Sequence, residues 1–129
     1  MSAQGKRMLV IGGETAVGRA IAIGLAEAGA DIAIASLTVD TKAQFAINSA
    51  LNELWALGRH GLALPIDASD SEQVRTAVER AESELGPLDL CVVVGEGAAV
   101  DAVGPARLIT VGVDSDVGSA LGEALAALA

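Results

Sequence analysis

Short unbroken apolar runs alternate along this chain with longer stretches in which apolar residues return every three or four positions. Met8–Ile11 is the first run; it stops at Gly12-Gly13 and suits a strand buried on both faces. Val17, Ile21, Gly24, Leu25 and Ala28 then recur at helical spacing, with Arg19 and Glu27 on the opposite side and Gly29 as a left-handed stop. Ile32–Ala35 is a second strand. Thr41 to Leu57 reads as a helix that buries Ile47, Leu51 and Leu54 and ends at Gly58. On its wheel Phe45 lies roughly opposite that stripe, and Trp55 sits at the stripe's edge. Leu62–Ile66 gives a third strand, and "SDSE" at 69–72 matches a capping box, Ser69 capping and Glu72 reaching back. Val74, Ala77, Val78, Ala81 and Leu85 form the next buried stripe, closed by Gly86-Pro87. Leu90–Val94 is a wholly apolar fourth strand and Arg107–Val113 a fifth. Val117, Leu121, Leu125 and Leu128 mark a closing amphipathic helix.

Strands alternating with helices in this order predict an α/β fold: a three-layer, Rossmann-like arrangement with a five-stranded parallel sheet, order 3-2-1-4-5, and helices on both faces. No linker, repeat or low-complexity segment interrupts residues 1–129, which are read as a single domain. The tight place is 95–106, "GEGAAVDAVGPA", because a parallel crossover ordinarily takes a dozen or more residues. Either a very short helix makes the connection, or the fifth strand takes an edge position or pairs with another subunit.

Composition sharpens this picture. The chain is 52% hydrophobic yet holds one Phe, one Trp and no Tyr, so Ala, Val, Leu and Ile must fill the core. Its net charge of −9, without a Lys/Arg run, argues against nucleic acid as a partner. A lone cysteine, Cys91, excludes an internal disulfide and suits a reducing compartment. No apolar run approaches a membrane span and no secretory segment precedes the first strand, so the expectation is a cytoplasmic protein without a membrane partner.

The ordered motifs resemble those of the short-chain dehydrogenase/reductases. "GGETAVG" resembles the family's glycine turn, with Gly12, Ala16 and Gly18 at its three small positions. "GADIAIAS" resembles the second strand, "LPIDASD" the third strand with its adenine-side acid, "GPLDLCVVVGEG" the fourth and "PARLITVGV" the fifth. The match covers about residues 8–96 well and 105–113 loosely. It implies a dinucleotide cofactor, NAD or NADP, held by Gly12, Gly13, Thr15, Ala16, Val17 and Gly18 at the pyrophosphate. Ser36 and Leu37 would lie at the ribose, Asp67 and Ala68 at the adenine, and Gly95 toward the nicotinamide. The need for small residues does not depend on the family: Gly12 allows a tight turn, Gly18 a close helix–strand approach, and N–H groups at the helix start face an anion.

Three departures from the family pattern stand out. Glu14 places a carboxylate in the phosphate loop, which repels the pyrophosphate if it points inward and costs little if it points to solvent. The second strand ends in Ser36-Leu37, neither the acid that takes a ribose 2′-hydroxyl nor the Arg that takes a 2′-phosphate, so no choice between NAD and NADP is signalled. Val93-Val94-Gly95-Glu96 stands where the family has Asn-Asn-Ala-Gly. Asp67 reads equally well as the adenine acid or as an acid beside a helix start.

The family's reaction uses a Tyr acid, a nearby Lys and a Ser. Here there is no Tyr, the only lysines are Lys6 and Lys42, and Ser115 lies near the serine position but out of register. No catalytic residue is therefore assigned. His60 reads as a surface turn residue, Cys91 as a buried hydrophobe, and Asp114 and Asp116 as helix caps; one His and one Cys make no zinc site, and no metal is expected. Three readings remain open: an NAD(P)-binding remnant without independent oxidoreductase activity, a non-catalytic structural or oligomeric scaffold of the same fold, and an enzyme completed by a partner chain. A homo-oligomer or a partner subunit is expected in each.

Overall fold

The computed structural model describes residues 3–128. Its five strands are β1 (Arg7–Ile11), β2 (Asp31–Ala35), β3 (Gly61–Leu64), β4 (Leu90–Val94) and β5 (Arg107–Val111). They form one parallel sheet in the order β3-β2-β1-β4-β5. Helices α1 (Ala16–Glu27), α2 (Thr41–Ala56), α3 (Ser71–Leu85) and α4 (Val117–Leu128) cover it, with a 3₁₀ turn at Val100–Val103.

The period-2 geometry of the strands divides the core in two. Met8 and Val10, Ile32 and Ile34, Val92 and Val94, and Ile109 and Val111 face α1, α2 and α4. Leu9 and Ile11, Ala33 and Ala35, and Cys91 and Val93 face α3 and the 3₁₀ turn. The central strands β1 and β4 are buried on both faces, which is why they read as unbroken apolar runs. The crossover between β4 and β5 is made by the 3₁₀ turn, and β5 lies at the sheet edge; both ways of accommodating the short 95–106 segment are used together.

Strand limits differ from the apolar pattern where hydrogen bonding decides them. β3 ends at Leu64 rather than Ile66, because Pro65 has no N–H for the ladder and the Ile66 N–H turns to Ser36 Oγ at 3.0 Å. β5 stops at Val111 because Gly112 enters a turn that its carbonyl closes by accepting from Ser115 N–H at 3.1 Å. Phe45 is 77% exposed, as its place on the wheel implies, and Trp55 is 56% exposed and belongs to the rim, not the core. No described helix is long and apolar enough to cross a membrane.

The start of α3 corrects the expected capping box. Ser69 gives both its N–H (3.0 Å) and its hydroxyl (2.6 Å) to Asp67 Oδ1, so it caps nothing. Asp70 is the N-cap, accepting from Glu72 N–H at 2.9 Å. Ser and Asp are both good caps, and composition alone does not distinguish two such neighbours. Replacing Asp70 with Ala should therefore cost about 1 kcal/mol of stability. Ser69→Ala should cost less; urea unfolding of the two variants checks the order, and equal losses would contradict the assignment.

Candidate functional site

The carboxyl ends of β1, β2 and β4 meet where the strand order reverses, the place at which open α/β sheets form a ligand crevice. The turn from β1 to α1 sits there. Gly12 has φ +97°, and a Cβ at that position would lie 2.7 Å from the Val94 carbonyl oxygen. The turn then folds back so closely that a Cβ on Gly18 would lie 2.1 Å from the Gly12 oxygen. Thr15 fastens this approach: its hydroxyl donates to Gly12 O (2.7 Å) and accepts from Gly18 N–H (2.9 Å), capping α1.

The cap satisfies one of the helix's first N–H groups and leaves others open. Gly12 and Gly13 donate to Ala35 O and Thr15 to Gly12 O. The N–H groups of Ala16 and Val17 take no partner among the described residues. Ala16 itself is exposed at the tip. Arg19, the arginine nearest this tip in sequence, is turned away onto Ser49 and Glu53 of α2. The positive end of α1 therefore lies open, with no basic side chain of its own.

Glu14 takes neither orientation anticipated for it. Its carboxylate spans to the end of β2 and accepts from Leu37 N–H through both oxygens, at 3.0 and 2.8 Å. Ser36 is fully buried and serves the fold: its hydroxyl accepts from Ile66 N–H (3.0 Å) and donates to Ile66 O (3.3 Å). Leu37 is half-buried, and its side chain approaches the Gly95 backbone. Glu14, Thr38, Asp40, Lys42, Ala43 and Ala46 line a hollow of about 170 Å³ at this corner.

On the β3 side, the hydroxyl and then the N–H of Ser69 hold the Asp67 carboxyl below its usual range. Both bonds fall on Oδ1; Oδ2 takes none among the described residues. Ala68 has its N–H on Leu37 O and its carbonyl on Ala99 N–H, so its backbone already ties together three segments of the crevice wall. Beyond β4, Gly95 (φ +98°) donates to Val111 O, and Gly95, Glu96, Gly112, Val113, Asp114 and Ser115 line a second hollow. The positions singled out in the sequence thus lie on the segments at the carboxyl ends of β1, β2, β3 and β4, with the side chains of Val17, Ser36 and Ala68 buried.

The remaining reactive residues lie elsewhere or are inert. His60 is exposed in the turn before β3. Asp116 caps α4 by accepting from Ser119 N–H at 2.9 Å, which lowers its pKa. Among the described residues no cluster of three His, Cys, Asp or Glu side chains has metal-binding geometry.

The family model for short chain dehydrogenases matches residues 6–111. The chain belongs to the short chain dehydrogenase family. L-rhamnose 1-dehydrogenase (NAD(P)(+)) of Sphingomonas sp. (strain SKA58) is 38% identical over 89 residues, which are 69% of this chain and 34% of that enzyme. Two solved structures are each 39% identical. A blue fluorescent protein from a metagenomic library, in complex with NADPH, has a TM-score of 0.66 over 71% of this chain and 36% of its own. A short chain dehydrogenase from Burkholderia cenocepacia J2315, in complex with NADP, has a TM-score of 0.62 over 74% and 37%. The chain spans between about a fifth and a third of the length of the curated relatives it matches. In this family member the glycine turn, the five strands and their order are those the sequence motifs imply.

Burial pushes the Cys91 thiol up to about 12, from an ordinary value of 9.0. The unfolded thiol ionises first, so this residue's contribution to stability is complete below pH 9 and lost as pH rises toward 12. Cys91 should resist thiol reagents at pH 8 until the protein unfolds. With no Tyr in the chain, thiolate ultraviolet absorbance checks the titration directly; a thiolate appearing near pH 9 in the folded protein would contradict the burial.

Proposed function

We propose that this chain binds a nicotinamide dinucleotide, NAD(H) or NADP(H), across the Gly12–Gly18 turn, and that these 129 residues do not carry out hydride transfer on their own. The observation that carries the reading is the pair of unpartnered N–H groups, Ala16 and Val17, at the open tip of α1. A pyrophosphate placed there meets unsatisfied donors and the positive end of the helix dipole. Glu14 is held to the side of this tip, its carboxylate accepting from Leu37 N–H at the end of β2 through both oxygens. The cofactors named for the solved relatives, NADPH and NADP, support the same ligand class.

In this arrangement the turn would hold the pyrophosphate, Leu37 would border the adenosine, Asp67 would serve the adenine side and Gly95 would lie toward the nicotinamide. A bound nicotinamide dinucleotide supplies hydride transfer. The proton donor that normally accompanies such a transfer is a tyrosine in the family, and this chain has none; α4, "VGSALGEALAAL", carries neither Tyr nor Lys. Removal of a positioned acid lowers rates by about 10²–10⁴, so these 129 residues by themselves are read as the dinucleotide-binding part.

A second reading, a scaffold that assembles with itself or a partner subunit, is favoured by α2. Phe45 on its outer side and Trp55 on its flank are both exposed, as are Val39 and Leu57 beyond its two ends. Large exposed apolar side chains are a recurrent mark of contact surfaces.

Gly18 is a poor probe of binding, since any side chain there strikes Gly12 O and disturbs the fold itself. Ala16→Glu is a better one. It adds a carboxylate at an exposed first-turn position, where the dipole favours it, so the melting temperature should hold or rise slightly. NADH and NADPH affinity, followed by nucleotide fluorescence, should fall at least about ten-fold, the equivalent of one charge-assisted hydrogen bond. No saturable binding by the unaltered protein at millimolar nucleotide, or unchanged affinity in the variant, would refute the reading.

A further inference from the structure

We propose that Glu14 selects the dinucleotide, accepting the adenosine ribose hydroxyls and excluding a 2′-phosphate, so that the crevice takes NAD(H) in preference to NADP(H). The proposal rests on the dinucleotide-binding reading and adds to it a specificity-determining residue.

In a doubly wound fold with its pyrophosphate on α1, the adenosine half extends over the end of β2. A carboxylate at that place accepts from a 2′-hydroxyl, and a guanidinium there receives a 2′-phosphate. Ser36 and Leu37 offer neither. Ser36 is buried and spent on Ile66, and Leu37 is aliphatic. The missing acid is nevertheless present in space, because Glu14 reaches across from the glycine turn and rests on Leu37 N–H. A carboxylate has about four acceptor sites. Leu37 N–H lies between the two oxygens and leaves outward lone pairs for hydroxyl donors.

The groups around it turn away an added phosphate. One N–H at the start of α2, that of Ala43, is taken by Asp40 Oδ1 at 2.8 Å. The Thr38 hydroxyl is taken by Asp40 Oδ2 at 2.7 Å. Leu37 N–H is taken by Glu14 itself. A 2′-phosphate entering the hollow would meet two carboxylates, Glu14 and Asp40, against one ammonium, Lys42. Three donors at this corner, the Leu37 and Ala43 N–H groups and the Thr38 hydroxyl, are already committed to carboxylate oxygens, while a 2′-hydroxyl brings its own proton and needs only an acceptor.

The test is direct binding, with no turnover required. Dissociation constants for NADH and NADPH are measured by nucleotide fluorescence, and for NAD⁺ and NADP⁺ by calorimetry, on the unaltered protein, Glu14→Gln and Lys42→Ala. The unaltered protein should bind the 2′-hydroxyl forms at least about ten-fold more tightly, a ratio equal to one charge-assisted hydrogen bond. Glu14→Gln keeps an oxygen for Leu37 N–H, so its melting temperature should hold, while the amide it introduces should cut the ratio to within about three-fold. Lys42→Ala should leave the preference for NAD(H) in place. Equal or tighter binding of NADPH by the unaltered protein overturns the selection by Glu14 but leaves dinucleotide binding standing, as does a ratio unmoved by Glu14→Gln. A preference for NADPH that Lys42→Ala removes assigns the corner to the ammonium and likewise overturns the proposal. Failure of all four nucleotides to bind overturns both readings together.

Discussion

The rest of the molecule is built on the approach of Gly18 to the Gly12 carbonyl, with no room for a single methyl between them. That approach sets the angle at which α1 leaves β1, and the angle decides much else. It lays Val17, Ile21 and Leu25 onto the sheet, and it brings α1 against α4, where a Cβ on Gly24 would lie 2.6 Å from Leu121. It also aims the helix tip at the crevice above β1 and β4. Thr15, which bonds both sides of the gap, makes the geometry a matter of two short hydrogen bonds as well as of missing side chains.

Charge is arranged around that tip by diversion. An acid in a phosphate loop is unfavourable in isolation, but Glu14 finds the Leu37 N–H and so joins the turn to the end of β2. Asp40 and Asp70 act similarly at α2 and α3, each consuming an N–H that would otherwise attract an anion. Of these three helix starts, α1 alone is capped by a neutral side chain, Thr15. The distinction gives the crevice one anion-seeking tip on a strongly acidic protein.

Much of this architecture is legible in the sequence. Apolar runs at 8–11, 32–35 and 90–94 and helical stripes between them carry the strand order, because buried parallel strands and one-sided helices leave opposite signatures. The limits of β3 and β5 were less legible, since they depend on Pro65 withholding a donor and on a turn at Gly112, while the apolar pattern runs on past both. The α3 cap was misplaced by one residue because Ser69 had a better acceptor in Asp67 than the helix had to offer. Near the crevice, motif spacing places the glycine turn between β1 and α1 and Ser36, Leu37, Asp67 and Gly95 just after the strands they follow. The partnership of Glu14 with Leu37 was not, for it joins residues 23 apart in sequence through a turn whose side-chain directions no periodicity encodes. The inward commitment of Ser36 was hidden for the same reason.

Filling a core with aliphatic side chains alone has a further consequence. Phe45 and Trp55 are both exposed on α2, and there is no tyrosine, so the interior contains no aromatic chromophore of its own. Tryptophan emission watches the solvent around one helix and says little about the sheet beneath it. The collapse of the two aliphatic layers is optically silent except through the peptide bond and, at high pH, the Cys91 thiolate.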